Sequence, residues 1–578
     1  MKKSITLVFA WLFTFTLFAQ TNILCTNPVS AQILAGNYNP SAYLAATRLN
    51  RPDTISRGIL ANVSPDSLKK SILKIATFRN HNTGSDTLSS VNGIGAARRW
   101  VFSKFQQYSS ANQNRLIPSY LQFTLNVCGI TQHRNIFAVL PGTDTTDKSI
   151  IIIEGHIDSR CEVVCDTACK AEGVEDNASG TALVLELARV MSKYSYAHSI
   201  VFMVTIGEEQ GLYGAQAFAM YAQQKGVKIK AVLNNDVIGG IICGQTSSAP
   251  GCPGPGNLDS TQVRLFSFGA FNSPHKGLSR FIKLEYKEEL LPFVSLPMII
   301  NIMAPEDRTG RGGDHIPFRT LNYPAMRFTS ANEDGNASVT TPGYSDRQHS
   351  VRDTLGASKL NNGVIDSFFV NFPYLARNAV INGNAAGMLG IGPKQPDMQL
   401  TAPSLTSLRI QVTKQTGYKQ YRIGLRSTTN DWDSVYTITG TLVDTIKNLP
   451  PAVYNVSVMS VDTNGIESLP STEYTANLTG VHELTEIAKD LELLQNKPNP
   501  FDEATYISVF VAKSVTYKKA WISVSDNNGR QVRQMPIKLE PGMNEVLFEE
   551  SAEKSGIYLY TLMVDGKAVQ SKRMVFAN

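Results

Sequence analysis

Ser149-Ile150-Ile151-Ile152-Ile153-Glu154-Gly155-His156-Ile157-Asp158 runs four isoleucines into a histidine and an aspartate two residues apart. An apolar run without polar alternation predicts a strand buried on both faces, central in a helix-covered sheet. His156 and Asp158 then share a face at its C-terminal end, where an open α/β sheet binds its ligands. The pair suits a metal-binding histidine whose second ring nitrogen is held by a carboxylate. A loop histidine beside an unrelated aspartate is the plainer alternative.

The next three stretches of chain favour the metal. Glu175-Asp176-Asn177-Ala178-Ser179-Gly180 precedes Thr181–Met191, whose Leu183, Leu187 and Val190 form an apolar face at helical spacing. Ser179 is the expected N-cap, which puts Asp176 just before a helix N-terminus, where negative charge is favoured. A second buried strand, Ser199–Thr205, runs into Gly207-Glu208-Glu209, and a third, from Ala231, ends at Asn235-Asp236. Adjacent acids can divide labour, one on a metal and the other on protons. Three hydrophobic strands thus deliver His/Asp, Glu/Glu and Asp to one sheet edge.

These pieces resemble the co-catalytic di-zinc aminopeptidases of the bacterial leucyl aminopeptidase and aminopeptidase S type. The match includes Gly155–Ser159, Asp176–Gly180, Gly207–Glu209 with Gly211–Gly214, and Asn235-Asp236. It continues in Gly313-Asp314-His315-Ile316-Pro317-Phe318 and Gln348-His349 with Asp353-Thr354. The resemblance implies a zinc exopeptidase fold: α/β, with a mixed, mostly parallel sheet flanked by helices. It implies two zinc ions per chain, with His156 and Asp236 on one, Glu209 and His349 on the other, and Asp176 bridging. Glu208 is then the general base, Asp158 orients His156, and the Asp176–Asn177 peptide is cis. Peptides are the implied substrates. Zinc accepts His and carboxylate ligands and leaves positions open in catalytic sites, although manganese or cobalt could take the same donors.

Asp314 and His315 are expected near the substrate pocket, with His349 rather than His315 as ligand. Some members carry a tyrosine where this chain has Gly310, which leaves the oxyanion partner unassigned. A glutaminyl cyclase on a related fold is the rival enzyme, because Asp314–Phe318 occurs in that group too. A surface binding protein without turnover is the rival from another class.

The 578 residues are 42% hydrophobic and 18% charged, with a net charge of +6 and no basic tract, so large cores are expected and nucleic acid is not. Met1-Lys2-Lys3 and the apolar Ile5–Phe18 read as a signal peptide over 1–19, so the protein is expected to be secreted or on the cell surface; no later run is long enough to span a membrane. Residues 20–60 read as a spacer or propeptide and 61–391 as the peptidase domain, with helices opening at Ser64-Pro65 and Ile94.

Seven cysteines in an exported chain suggest disulfides with one left over. Cys161, Cys165 and Cys169 lie between His156 and Asp176; a disulfide bracing that loop is expected, a third metal site being the alternative. Cys243 and Cys252 could pair. After Gly392, short alternating strands predict two small all-β sandwich domains. Residues 398–478 resemble a fibronectin type III module. Residues 491–578, with Asn496-Lys497-Pro498-Asn499-Pro500-Phe501, resemble a type IX secretion sorting domain. That resemblance implies a bacterium of the Bacteroidetes kind and a tail recognised by the secretion machinery.

Overall fold

The computed structural model describes residues 20–243, 254, 256–269, 273–307, 312–331, 347–360, 362–414, 417–428, 430–478, 490–526, 530–549 and 555–577. The expected signal peptide, Gly310 and Cys252 lie outside them. Among the described residues no helix is long and apolar enough to cross a membrane.

Nine strands form the main sheet: β1 (Thr21–Cys25), β2 (Ile117–Val127), β3 (Ile130–Leu140), β4 (Ile150–His156), β5 (Ser199–Thr205), β6 (Ile229–Asn235), β7 (Gln262–Ser267), β8 (Ile299–Ile302) and β9 (Ala325–Ser330). Their spatial order is β1-β2-β3-β5-β4-β6-β9-β7-β8. The four isoleucines of β4 are fully buried at the centre, because helices cover both faces. The sheet is not mostly parallel. β5, β4, β6 and β9 run parallel to one another, as do β7 and β8, but the other four pairings are antiparallel. One cause is local. Val127 pairs with Ile130 across Cys128 and Gly129, both at positive φ (48° and 86°), a two-residue reversal that forces an antiparallel hairpin.

Helices α1 (Pro52–Asn62), α2 (Pro65–Ala76), α3 (Gly93–Ala111), α4 (Ser179–Met191) and α5 (Tyr213–Lys225) are followed by α6 (Pro274–Glu285), α7 (His315–Thr320) and α8 (Phe372–Ile391). Ser64 caps α2 as expected, its side chain accepting from Ser67 N. Ser179 does not cap α4: its hydroxyl donates to Glu175 O, and Asn177 Oδ1 accepts Gly180 N instead at 2.8 Å. Gly180 is required here, since a Cβ would lie 2.1 Å from Asn235 O and block the approach of α4 to β6.

Residues 20–60 are part of the fold rather than a spacer. Strand β1 pairs with β2, and Cys25, Ile33, Leu34, Ile55 and Ile59 join the central core. Strand β1 has only five residues, too few for a periodic signal.

The chain divides into two units. One comprises residues up to 399 with 411–443 and 455–474; the other comprises 400–410, 444–454 and 475–578. Within the second unit, residues 491–576 form a three-stranded and a four-stranded antiparallel sheet around Leu493, Ile507, Val509, Tyr560 and Met574.

Candidate metal centre

The site sits at the C-terminal ends of β5, β4 and β6, three of the four adjacent parallel strands. β4 ends at His156, β5 leads to Glu208 and Glu209, and β6 leads to Asp236; Asp176 arrives on the turn before α4. His349 comes from a loop, at φ 59°. Val237, a β-branched residue directly after Asp236, is also left-handed (φ 51°), the sort of backbone that persists where surrounding bonds enforce it. Its N–H reaches Asn177 Oδ1 at 3.3 Å, and its carbonyl accepts Ser330 N at 2.9 Å.

Asp176 joins two clusters. Its Oδ1 lies 3.2 Å from His156 Nε2, which is 3.3 Å from Asp236 Oδ1. Its Oδ2 lies 3.0 Å from His349 Nε2, which is 3.1 Å from Glu209 Oε2. Within each trio the donor atoms lie within 4.8 Å of one another. The Asp176–Asn177 peptide is cis. Asp353 fixes that turn by accepting Glu175 N (2.8 Å) and Asp176 N (2.9 Å). Asp158 accepts Glu208 N and Glu209 N at 3.3 and 3.2 Å, while its carbonyl lies 3.0 Å from His156 Nδ1.

Two arginines complete the site. Arg327, fully buried, reaches Asp236 Oδ2 at 3.1 Å and Asp307 Oδ1 at 2.8 Å. Arg160 donates from Nε to Glu209 Oε2 (2.9 Å) and from Nη2 to His349 Nδ1 (2.7 Å). A cavity of about 400 Å³ opens over Asp176, Glu208, Glu209, Asp236 and His349. Asp314 and His315 do not line it. Both are fully buried, with Asp314 accepting from Thr205 Oγ1 and His315 Nε2 3.2 Å from Glu306 O.

Burial pushes the Glu208 carboxyl well above its usual range, against the pull of His156. Burial likewise raises Asp314, to about 7, and Asp353, where Glu175 adds repulsion. Burial would raise Asp176 as well, but His156 and His349, each facing one of its oxygens, outweigh it and hold Asp176 well below the usual range. Among the described residues, Glu209 Oε1 is buried with no hydrogen-bond partner. Nitrogen and carboxylate donors in two trios fit zinc. The cysteines of the loop are taken up in disulfides: Cys161 pairs with Cys169 and Cys128 with Cys165, bracing the loop. Cys243 is disulfide-bonded to a partner outside the described residues, and Cys25 is buried and free.

Residues 135–241, which carry every site residue so far except Arg327, the acids 307, 314 and 353, and the histidines 315 and 349, match Peptidase family M28. A probable zinc metalloprotease of Leptosphaeria maculans is 30% identical over 394 residues, spanning 65% of this chain and 87% of its own. The chain belongs to peptidase family M28. It is a zinc-dependent peptidase. A second such relative, from Pyricularia oryzae, is 31% identical over 359 residues, 60% of this chain and 68% of that one. Among solved structures, the LapA aminopeptidase of Legionella pneumophila is 17% identical, covering 59% of this chain and 75% of that chain, at a TM-score of 0.41.

The structure brings together all seven residues singled out in the sequence: His156, Asp158, Asp176, Glu208, Glu209, Asp236 and His349. In this M28 chain three contributors were missed. Asp353 stands out in the sequence only as the end of the element that begins at His349. Arg327 left one signal, a charge inside the buried strand Ala325–Ser330. Arg160 left none beyond following Asp158-Ser159.

Proposed function

We propose that this M28 peptidase is an exported aminopeptidase working with two zinc ions, one held by His156 and Asp236, the other by Glu209 and His349, with Asp176 shared. The observation that carries the reading is the placement of the two Asp176 oxygens, one 3.2 Å from His156 and the other 3.0 Å from His349. When bound, zinc polarises the scissile carbonyl and makes water acidic. Glu208 lines the cavity, and burial raises its proton affinity. It takes the proton of the attacking water and delivers it to the departing amine nitrogen. Asp158 holds the Glu208–Glu209 main chain and orients His156; Arg327 fixes Asp236 so that Oδ1 faces inward.

Export is supported by the apolar leader and by the disulfides, which suit an oxidising compartment. In this reading 398–478 is a fibronectin type III-like module and 491–578 a type IX sorting tail. Deleting 491–578 then removes the protein from the surface or medium; unchanged levels sink the sorting role.

The activity is tested on a panel of aminoacyl-chromophore substrates beside an N-terminal glutaminyl peptide. Chromophore release is the expected result. Ammonia release from the glutaminyl peptide without loss of a residue moves the assignment to a cyclase, and no turnover on either moves it to a binding protein.

A further inference from the structure

We infer that Arg160 is an internal competitor for the cation shared by Glu209 and His349, so that this half of the site takes its metal by displacing a guanidinium. The inference rests on the two-zinc reading above.

A guanidinium carries donors only. His349 Nδ1, 2.7 Å from Arg160 Nη2, must therefore accept. Its single N–H is then on Nε2, facing Asp176 Oδ2 and Glu209 Oε2, both acceptors, at 3.0 and 3.1 Å. Both His349 nitrogens and Glu209 Oε2 are thus engaged by protein groups, and only Glu209 Oε1 is left without a partner. A metal at Nε2 needs the lone pair there, which moves the N–H to Nδ1, where it opposes the Arg160 donor. Arg160 also occupies Glu209 Oε2, the oxygen that faces His349.

His156 is the reverse case. Its Nδ1 faces the Asp158 carbonyl at 3.0 Å, which can only accept. The Nδ1–H is thereby fixed, and Nε2 can offer a lone pair between Asp176 and Asp236. This is how protein surroundings commonly set a ligating histidine. Arg327 reaches the outer oxygen of Asp236, not the inner one.

Displacement has to come from the Arg160 side chain. The loop backbone is held by Cys161–Cys169, by Cys128–Cys165 and by Ser159 Oγ donating to Ala171 O at 2.7 Å. The side chain is 14% exposed and borders the cavity, so it has somewhere to turn.

The test is calorimetric titration of zinc into the chelator-stripped full chain, wild type beside Arg160→Gln and Arg160→Lys, with thermal unfolding checked for each. Wild type is expected to take two equivalents in separate steps. Arg160→Gln tightens the weaker step by about tenfold or more, the worth of hydrogen bonds between charged groups, and leaves the stronger step alone. Arg160→Lys, which keeps the charge but cannot span both partners, falls between. Two equivalents with the weaker step unchanged or loosened in Arg160→Gln overturn the competitor role and leave the two-zinc reading standing. A single equivalent in all three chains overturns both. One equivalent in wild type and two in Arg160→Gln support the inference in its strongest form.

Discussion

The two histidines of the site face one carboxylate and are set in opposite ways. His156 closes a strand whose seven residues are all buried, and a backbone carbonyl holds its outer nitrogen. His349 stands on a loop in a left-handed conformation, and an arginine side chain holds its outer nitrogen. The first half is built by the sheet and is ready for a ligand. The second is assembled from side chains that satisfy one another and must be opened. A symmetric list of ligands therefore conceals an asymmetric site.

The comparison breaks most completely at Asp176, the residue both halves share. Asp176→Ala should strip metal from both and lower kcat by more than the about 10²–10⁴-fold expected for one proton-transfer group. Metal analysis with kinetics checks this; retention of a full metal complement sinks the bridging role. Asp158→Asn keeps the main-chain carbonyl on His156 Nδ1 but removes the charge 3.6 Å from that nitrogen and one of the two oxygens that accept the Glu208 and Glu209 amides. It should therefore also reach both halves and weaken metal affinity by about 10–100-fold. Loss confined to one step of a zinc titration would show that Asp158 serves that half alone.

Single histidine variants sharpen the asymmetry. His349→Ala should retain close to one metal, whereas His156→Ala, left with the half that Arg160 guards, should retain little. In wild type a chelator series should release one equivalent about tenfold more readily than the other. Equal retention by the two variants contradicts the difference.

The smallest effect lies away from the site and serves as its control. Burial pushes Glu467 up to about 7, against the pull of Arg422 at 2.9 Å, with Glu288 and Glu285 nearby. The folded value lies above the ordinary 4.5, so the protonated group favours the fold. That contribution is complete below about 4.5 and is lost as pH rises through about 7. Thermal stability of wild type should fall across that window, and Glu467→Gln should flatten the fall without changing zinc content. A steeper fall in the variant would reverse the sign of the argument.

The strand-built half was legible in the sequence because burial on both faces writes unbroken apolar runs, and each run ended in a candidate ligand. The four isoleucines before His156 and the strands before Glu208 and Asp236 needed no resemblance. His349 did: a loop ligand has no periodicity. Arg160 and Arg327 were not legible because their roles depend on which distant side chain they meet. The N-terminal strand at Thr21–Cys25 was missed because five residues at a sheet edge look like a linker. The mostly parallel expectation overreached by extending the pattern of the central strands to the antiparallel pairings around them. Ser179 loses the cap to Asn177 because its hydroxyl donates back to Glu175 O while the asparagine side-chain carbonyl accepts Gly180 N.

The most direct measurement is zinc content and turnover of wild type beside Glu208→Gln, on an aminoacyl-chromophore substrate. Wild type should hold about two zinc ions per chain, and the variant should keep them while kcat falls by about 10²–10⁴-fold. A wild type holding fewer than two, or a variant that turns over as well as wild type, contradicts a paired-zinc site with Glu208 as its base.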